Sequence, residues 1–143
     1  MSDAGCVFCA IVAGTAPASI VWEDKTSVGF MDIDPITPGH VLVVPRTHAA
    51  SLAELDPRTG GLLFEVAMRV AAGLRASEVR ADGLNLFLAD GGAAGQDVFH
   101  VHIHVVPRYP GDGLEIRYAG TRPPREQLDA TAASIRDGLA RMS

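Results

Sequence analysis

The stretch FHVHIHVVPRY, residues 99–109, holds His100, His102 and His104, three of the five histidines in the chain. Val101, Ile103 and Val105 fill the gaps between and after them. Side chains on a β-strand alternate between faces with a rise of about 3.3 Å per residue. The spacing therefore puts three imidazoles on one face, about 6.6 Å apart, and the β-branched residues on the other. On a helix the same histidines scatter around the axis. The stretch reads as a strand with an apolar core face and a chemically active face.

The rest of the chain frames that strand. With 143 residues, 48% hydrophobic and 20% charged, it fits one folded domain with a substantial core. The net charge of −5 gives no general basis for binding nucleic acid. No apolar run approaches the roughly 18 residues of a membrane span. The opening MSDAGCVFCAI lacks the basic start and long apolar run of a signal peptide, so a cytoplasmic protein is expected. Both cysteines lie in one C-x-x-C, which suits a reducing compartment and a metal or redox site better than a disulfide scaffold.

No internal repeat or low-complexity segment interrupts the order of elements. Residues 6–14 read as a short helix ended by Gly14. Residues 19–24 and 27–33 read as paired strands with a tight turn at Asp24–Lys25. The Pro/Gly loop at 34–40 leads into a buried strand, HVLVVP, stopped by Pro45. Asp56 and Pro57 cap a long helix running to about Ser77, with Leu62, Leu63, Val66, Val70 and Leu74 at helical spacing. Residues 82–92 turn and run as a strand, and the glycine-rich 91–98 leads into the histidine strand. A mostly polar stretch follows, then a last helix from about Pro124 to Ala140 with Leu128, Ile135 and Leu139 as its stripe. Consecutive strands with one helix between the third and fourth predict an α+β fold built on an antiparallel sheet of about five strands.

Three readings of the histidines compete. They form a surface stripe, or they bind metal, or they perform phosphoryl or nucleotidyl chemistry. Zinc on all three from one strand is disfavoured, because zinc–nitrogen bonds near 2.0–2.1 Å need ligand nitrogens roughly 3.4 Å apart. For the third reading, neutral imidazole is a good nucleophile near pH 7, and a neighbouring histidine can serve the leaving group. GGAAGQDV, immediately upstream, offers backbone N–H groups and torsional freedom suited to a phosphate.

HVHIHVV resembles the His-x-His-x-His-x-x pattern of the histidine triad family. DIDPITPGHVLVVPRTH (32–48) resembles that family's second conserved region, and CVFC its common N-terminus. The resemblance runs from Cys6 to Arg108, leaving residues 109–143 as a C-terminal extension of a single domain. It implies a hydrolase or transferase attacking the α-phosphate of a purine nucleotide derivative. His102 is implied as the nucleophile, His104 as the contact to the leaving-group atom, and His100 as support for His102 through its backbone carbonyl. His40 matches the family's PGH histidine beside the site. Gly95, Gln96, Asp97 and Val98 match the phosphate-binding loop, and Asp32 the carboxylate on the ribose hydroxyls. Val7, Phe8, Ile11, Phe30 and Ile33 are implied to line the base pocket, although ordinary core packing explains such residues equally well.

Two departures bear on the substrate. Ala89 stands where the family has Asn or Gln helping to hold the phosphate, and Asn85, four residues away or about 13 Å along the strand, is too far to replace it. Asp97 stands where relatives carry Ser or Thr, and a carboxylate there favours a neutral or cationic leaving group over a polyanionic one.

Cys6 and Cys9 read as a half-buried pair of small residues, a redox pair, or half of a zinc site. The family's zinc-bearing members add two histidines matching His48 and His100, which makes a structural zinc the expected cofactor. Two substrates fit the enzyme reading: a nucleoside phosphoramidate and a dinucleoside polyphosphate. VVPRY and the last helix resemble the polyphosphate-cleaving branch. A nucleotide-binding sensor or scaffold with little turnover is the alternative. An exposed sheet edge and the apolar face of the 57–77 helix predict a homodimer, as the family resemblance also implies. A monomer whose last helix covers the edge is the other possibility.

Overall fold

The computed structural model describes residues 4–142. It has the α+β architecture expected. The elements are α1 (Val7–Ala13), β1 (Ile20–Glu23), β2 (Ser27–Met31), β3 (Val41–Pro45), α2 (Pro57–Ala76), β4 (Gly83–Phe87), β5 (Ile103–Arg108) and α3 (Arg125–Ala140). One sheet has the order β1-β2-β3-β5-β4, with every neighbouring pair antiparallel. The edges are β1 and β4. Among the described residues no helix is long and apolar enough to cross a membrane.

Strand alternation sorts the side chains into two cores. Val41 and Val43 of β3 and Ile103 and Val105 of β5 face α2, where Leu63, Val66, Ala67, Val70 and Leu74 meet them. Leu42 and Val44 face the other way with Val28 and Phe30 of β2, and Phe8 of α1 covers them. The sheet thus carries a long helix on one face and a short one on the other. All the candidate chemistry lies on the α1 face.

Local chemistry sets the element ends. The Cys6 sulfur accepts from the Cys9 N–H at the start of α1, and Gly14 closes it at φ 80°. The Asp56 carboxylate accepts from Arg58 N at 2.9 Å ahead of Pro57 at the start of α2. Asp24 organises the β1–β2 turn. Burial alone would raise its pKa, but hydrogen bonds from the Trp22 indole and from the N–H groups of Thr26 and Ser27 hold it well below the usual carboxylate range. Gly39 sits at φ +96°, and a Cβ there would lie 2.9 Å from Val79 Cγ1, so the turn before β3 requires glycine.

Three expectations need correction. The histidine stretch is not strand throughout, because β5 begins at Ile103 and leaves His100 and His102 ahead of it. Pro45 has no N–H to extend the β3 ladder, and the Val101 N–H turns away to Ala49 O at 2.8 Å. The alternation of faces persists nonetheless, with Val101 in the α2-side core. The strand expected over 82–92 ends at Phe87; the chain then turns at Gly91 (φ 94°) into a single 3₁₀ turn at Gly92–Ala94. Leu62, placed on the buried face of α2, is 39% exposed, one step off the stripe that packs on the sheet.

The chain divides into two compact units, the first ending at Asp112 and the second starting at Gly113. The second consists of an extended lead and α3, which begins after Pro124 and contains no buried residue.

Candidate active site and metal centre

His102 is 97% buried by its surroundings, being only 3% exposed. Its Nδ1 lies 2.8 Å from the backbone carbonyl of His100. A carbonyl only accepts, so Nδ1 carries the proton and Nε2 is left with its lone pair. Nε2 lies 3.9 Å from Asp97 Oδ1.

His104 carries the opposite tautomer. The Ile36 N–H donates to His40 Nδ1 at 3.0 Å, which leaves the His40 proton on Nε2. That Nε2 lies 3.0 Å from His104 Nδ1, which must accept, so the proton of His104 is on Nε2. Asp32 Oδ2 stands 3.6 Å from His40 Nε2 while its Oδ1 accepts from Asp34 N at 2.8 Å. Burial lowers the pKa of His40, with the nearby His102 adding to the effect and Asp32 opposing it. Burial, with His102 and His40 close by, lowers His104 further, to about 4, against the pull of Asp32 and Asp97. Both rings are therefore neutral near pH 7. The His102 and His104 rings are 4.8 Å apart, closer than the backbone repeat because the side chains lean together.

A cleft of about 320 Å³ opens beside them, lined by His102 and His104. The expected base-pocket residues Val7, Phe8, Ile11, Phe30 and Ile33 all line it, and so do Asp32, Asp97 and Val98. Ile33 is 97% exposed, at the mouth rather than in the core. Pro17, Ala18, Met31, Asp34 and Leu42 complete the lining and were not anticipated. Strand parity with Phe30 and His40 points to Leu42, whereas no sequence signal singles out Pro17 or Ala18.

Ala89, Gly95 and Gln96 do not line the cleft. The Gln96 side chain is buried and fastens the loop instead. Its Oε1 accepts from Gly91 N at 2.7 Å, and its Nε2 donates to Ala50 O at 2.8 Å and Val98 O at 3.1 Å. Asn85 is likewise engaged elsewhere, accepting from Arg108 at 2.7 Å.

A second cluster lies behind the cleft. Cys6, Cys9, His48 and His100 each direct one ligand atom into a group whose members lie within 4.8 Å of one another. His100 Nδ1 is 3.4 Å from Cys6 Sγ and 3.5 Å from Cys9 Sγ, and His48 Nδ1 is 3.3 Å from Cys9 Sγ. Tetrahedral zinc, with bonds of about 2.0–2.3 Å, needs separations of this order and favours this donor set. His100 is prepared for a metal: its Nε2–H donates to Pro45 O at 2.8 Å, which leaves the Nδ1 lone pair facing the sulfurs. His48 lacks that outer support, since its Nε2 is buried without a hydrogen-bond partner.

Residues 13–111 match the HIT domain family. The chain belongs to that family. Among curated HIT relatives, an uncharacterized HIT-like protein of Mycobacterium tuberculosis is 38% identical over 135 residues, covering 94% of this chain and 93% of that one. An Arabidopsis thaliana protein named adenylylsulfatase is 36% identical over 109 residues, 76% of this chain and 55% of that protein. The crystal structure of a zinc-bound histidine triad family protein from Mycobacterium smegmatis aligns with a TM-score of 0.77 at 43% identity, covering 96% of this chain and 99% of that one. A histidine triad nucleotide-binding protein from Candida albicans aligns at 0.85 with 26% identity, covering 97% and 100%.

The low pKa of His104 has a consequence for the stability of this HIT chain. The folded pKa of about 4 lies below the ordinary value of 6.5. Between these values the unfolded chain binds more protons, so this contribution is fully present above pH 6.5 and is lost as pH falls toward 4. Urea unfolding at pH 7 and pH 5 is expected to show His104→Gln losing about 1–2 kcal/mol less stability than the parent over that interval. Equal losses would show that His104 titrates normally.

Proposed function

We propose that this HIT protein is a nucleotidyl hydrolase or transferase acting at the α-phosphate of a purine nucleotide derivative. The observation that carries the reading is the pair of opposite tautomers beside one cleft. His102 offers a lone pair on Nε2, and His104 a hydrogen on Nε2. The His102 lone pair forms a bond to the α-phosphorus as the bond from phosphorus to the leaving atom breaks. The departing electron pair goes to the leaving atom, which accepts a hydrogen bond from His104 Nε2–H. Water then displaces the imidazole. Its hydroxyl ends on phosphorus and its proton balances the leaving group, while another acceptor in its place gives transfer.

On this reading Asp32 accepts the ribose hydroxyls, and Val7, Phe8, Ile11, Phe30 and Ile33 hold the base. The backbone of Gly95, Gln96, Asp97 and Val98 meets the phosphate, and the Gln96 side chain gives that loop its shape. The family names nucleotide-binding and adenylylsulfatase support the substrate class. Asp97 favours a phosphoramidate with a neutral amine leaving group, while the resemblance of VVPRY favours a dinucleoside polyphosphate. The second reading, a nucleotide binder with little turnover, draws support from Ala89, which supplies no amide to the phosphate.

His102→Ala or His102→Asn is expected to abolish turnover of both an adenosine phosphoramidate and diadenosine polyphosphates, while AMP affinity changes by about threefold or less. Labelled substrate is expected to leave adenylate on His102 of the parent. Near-normal kcat in either variant refutes the mechanism, and slow turnover of the parent without a trapped adduct favours the binder.

Zinc fits Cys6, Cys9, His48 and His100, and when bound it supplies structural cross-linking rather than reaction chemistry. The zinc-bound relative supports the same assignment. Protein purified without chelator is expected to contain one zinc per chain, lost in Cys9→Ala. No zinc together with reactive thiols would remove the claim.

A homodimer completes the proposal. β4 ends the sheet, and Leu62, Phe64 and Met68 are 39%, 52% and 57% exposed on α2. Sedimentation equilibrium at micromolar concentration is expected to give twice the single-chain mass of 15.0 kDa. The single-chain value would refute the dimer.

A further inference from the structure

We infer that Phe87 is a positioning residue for His104: its ring fixes the plane of the His104 imidazole, and so decides which leaving groups the site releases quickly. The inference rests on the proposed role of His104 toward the leaving atom.

The two rings are stacked, with centroids 4.3 Å apart and planes 10° from parallel. The contact is written into the sheet register, in which Phe87, the last residue of β4, is the direct cross-strand partner of His104 on β5. Such pairs have Cβ atoms about 4.5–5.5 Å apart on one face, close enough to bring two flat rings together. On its other side His104 pairs with Leu42 of β3.

His104 needs this support more than its neighbours do. His40, His100 and His102 are 1%, 0% and 3% exposed, so packing alone confines them. His104 is only half-buried. Its hydrogen bond with His40 fixes Nδ1 at one point, but a ring held at one nitrogen can still tilt about that bond. A parallel aromatic face removes the tilt. With Nδ1 held and the plane fixed, the direction of Nε2–H follows.

Phe87 has no comparable role in the core. It belongs to neither hydrophobic cluster and remains 41% exposed. Among the described aromatic contacts its ring meets only His104. A leucine would fill a similar volume without offering a flat face, so shape and bulk can be separated by substitution.

A hydrogen bond to the leaving atom matters most when that atom carries much negative charge in the transition state. Misaiming the donor therefore slows the release of poor leaving groups and barely affects good ones. The test compares two substrates of one nucleoside, an adenosine 5′-alkylphosphoramidate and the p-nitrophenyl ester of AMP, using the full chain. For Phe87→Ala, kcat/KM is expected to fall about 10- to 100-fold on the alkylamine substrate, the scale of a small misplacement. On the aryl ester it is expected to stay within about threefold of the parent. Phe87→Tyr restores the flat ring and is expected to match the parent on both, while Phe87→Leu follows Phe87→Ala. In NMR spectra the His104 ring protons are expected upfield in the parent and in Phe87→Tyr, and shifted downfield in Phe87→Leu.

Equal losses on both substrates, or Phe87→Leu matching Phe87→Tyr, would reduce Phe87 to packing and overturn the inference. If Phe87→Ala fails to fold, shown by loss of AMP binding, the Leu and Tyr variants carry the same comparison. A parent that turns over neither substrate would overturn the functional reading itself, which is a different result from equal losses in a working enzyme.

Discussion

The buried His100 ties the candidate nucleophile to the candidate metal centre in this protein. Its backbone carbonyl holds the Nδ1–H of His102, its Nε2–H is spent on the Pro45 carbonyl, and its Nδ1 faces the sulfurs of Cys6 and Cys9. At 0% exposure, each of these polar atoms would be costly to leave unmatched. The three contacts therefore enforce one another. Pro45 closes β3, so the end of a core strand fixes the histidine that fixes the candidate nucleophile. A metal at the neighbouring cluster would fasten the same ring from its remaining side. Phe8 extends this coupling, packing edge-on against both His100 and His102 at 5.9 and 5.1 Å while lining the cleft.

The backbone, rather than the identity of the side chains, distinguishes His102 from His104. Their rings are 4.8 Å apart and chemically identical. One meets a carbonyl, and the other meets a histidine whose own tautomer is set by the Ile36 N–H. The loop supplying that N–H is held just after Ile36. Thr37 Oγ1 donates to Pro107 O at 2.7 Å, and Gly39 adopts a conformation other residues rarely reach. Low solvation then keeps the His104 ring neutral, which preserves its N–H toward the cleft. A charged ring at either position would erase the distinction.

These causes explain how far the sequence could be read. Alternation over 100–105 placed the three histidines on one face even though only His104 lies in the ladder, because side-chain parity depends on extended backbone and not on strand pairing. Helix boundaries were legible at Asp56–Pro57 and Gly14, where capping chemistry is local. The end of β4 was not, since it depends on Asp90 accepting from Leu52 N, a contact across 38 residues. Gln96 resembled a phosphate ligand because its motif is read one residue at a time, whereas its inward side chain depends on Ala50 from another part of the chain. Phe87 went unnoticed for the same reason: its importance lies in the register between β4 and β5, which no local pattern states. The C-x-x-C suggested a metal, the family resemblance named His48 and His100 beside it, and geometry added the Pro45 contact that orients His100.

Asp97 shows how a single exposed charge bears on the choice of substrate. Its carboxylate lies 3.9 Å from the nitrogen proposed to attack, on a side chain 83% exposed. Water screens such a charge strongly, so its repulsion of each phosphate charge about 4 Å away is about 1 kcal/mol, and salt lowers it further. That is a several-fold effect and not a barrier. A polyphosphate leaving group is therefore disfavoured without being shut out, more so with Ala89 contributing no donor to offset the repulsion. A neutral amine meets no such resistance, and an ammonium group would be drawn toward the same carboxylate. The electrostatics tilt the site toward phosphoramidates by an amount that the leaving group's own chemistry can reverse, because a phosphate leaves readily whereas an amine depends on the hydrogen bond from His104.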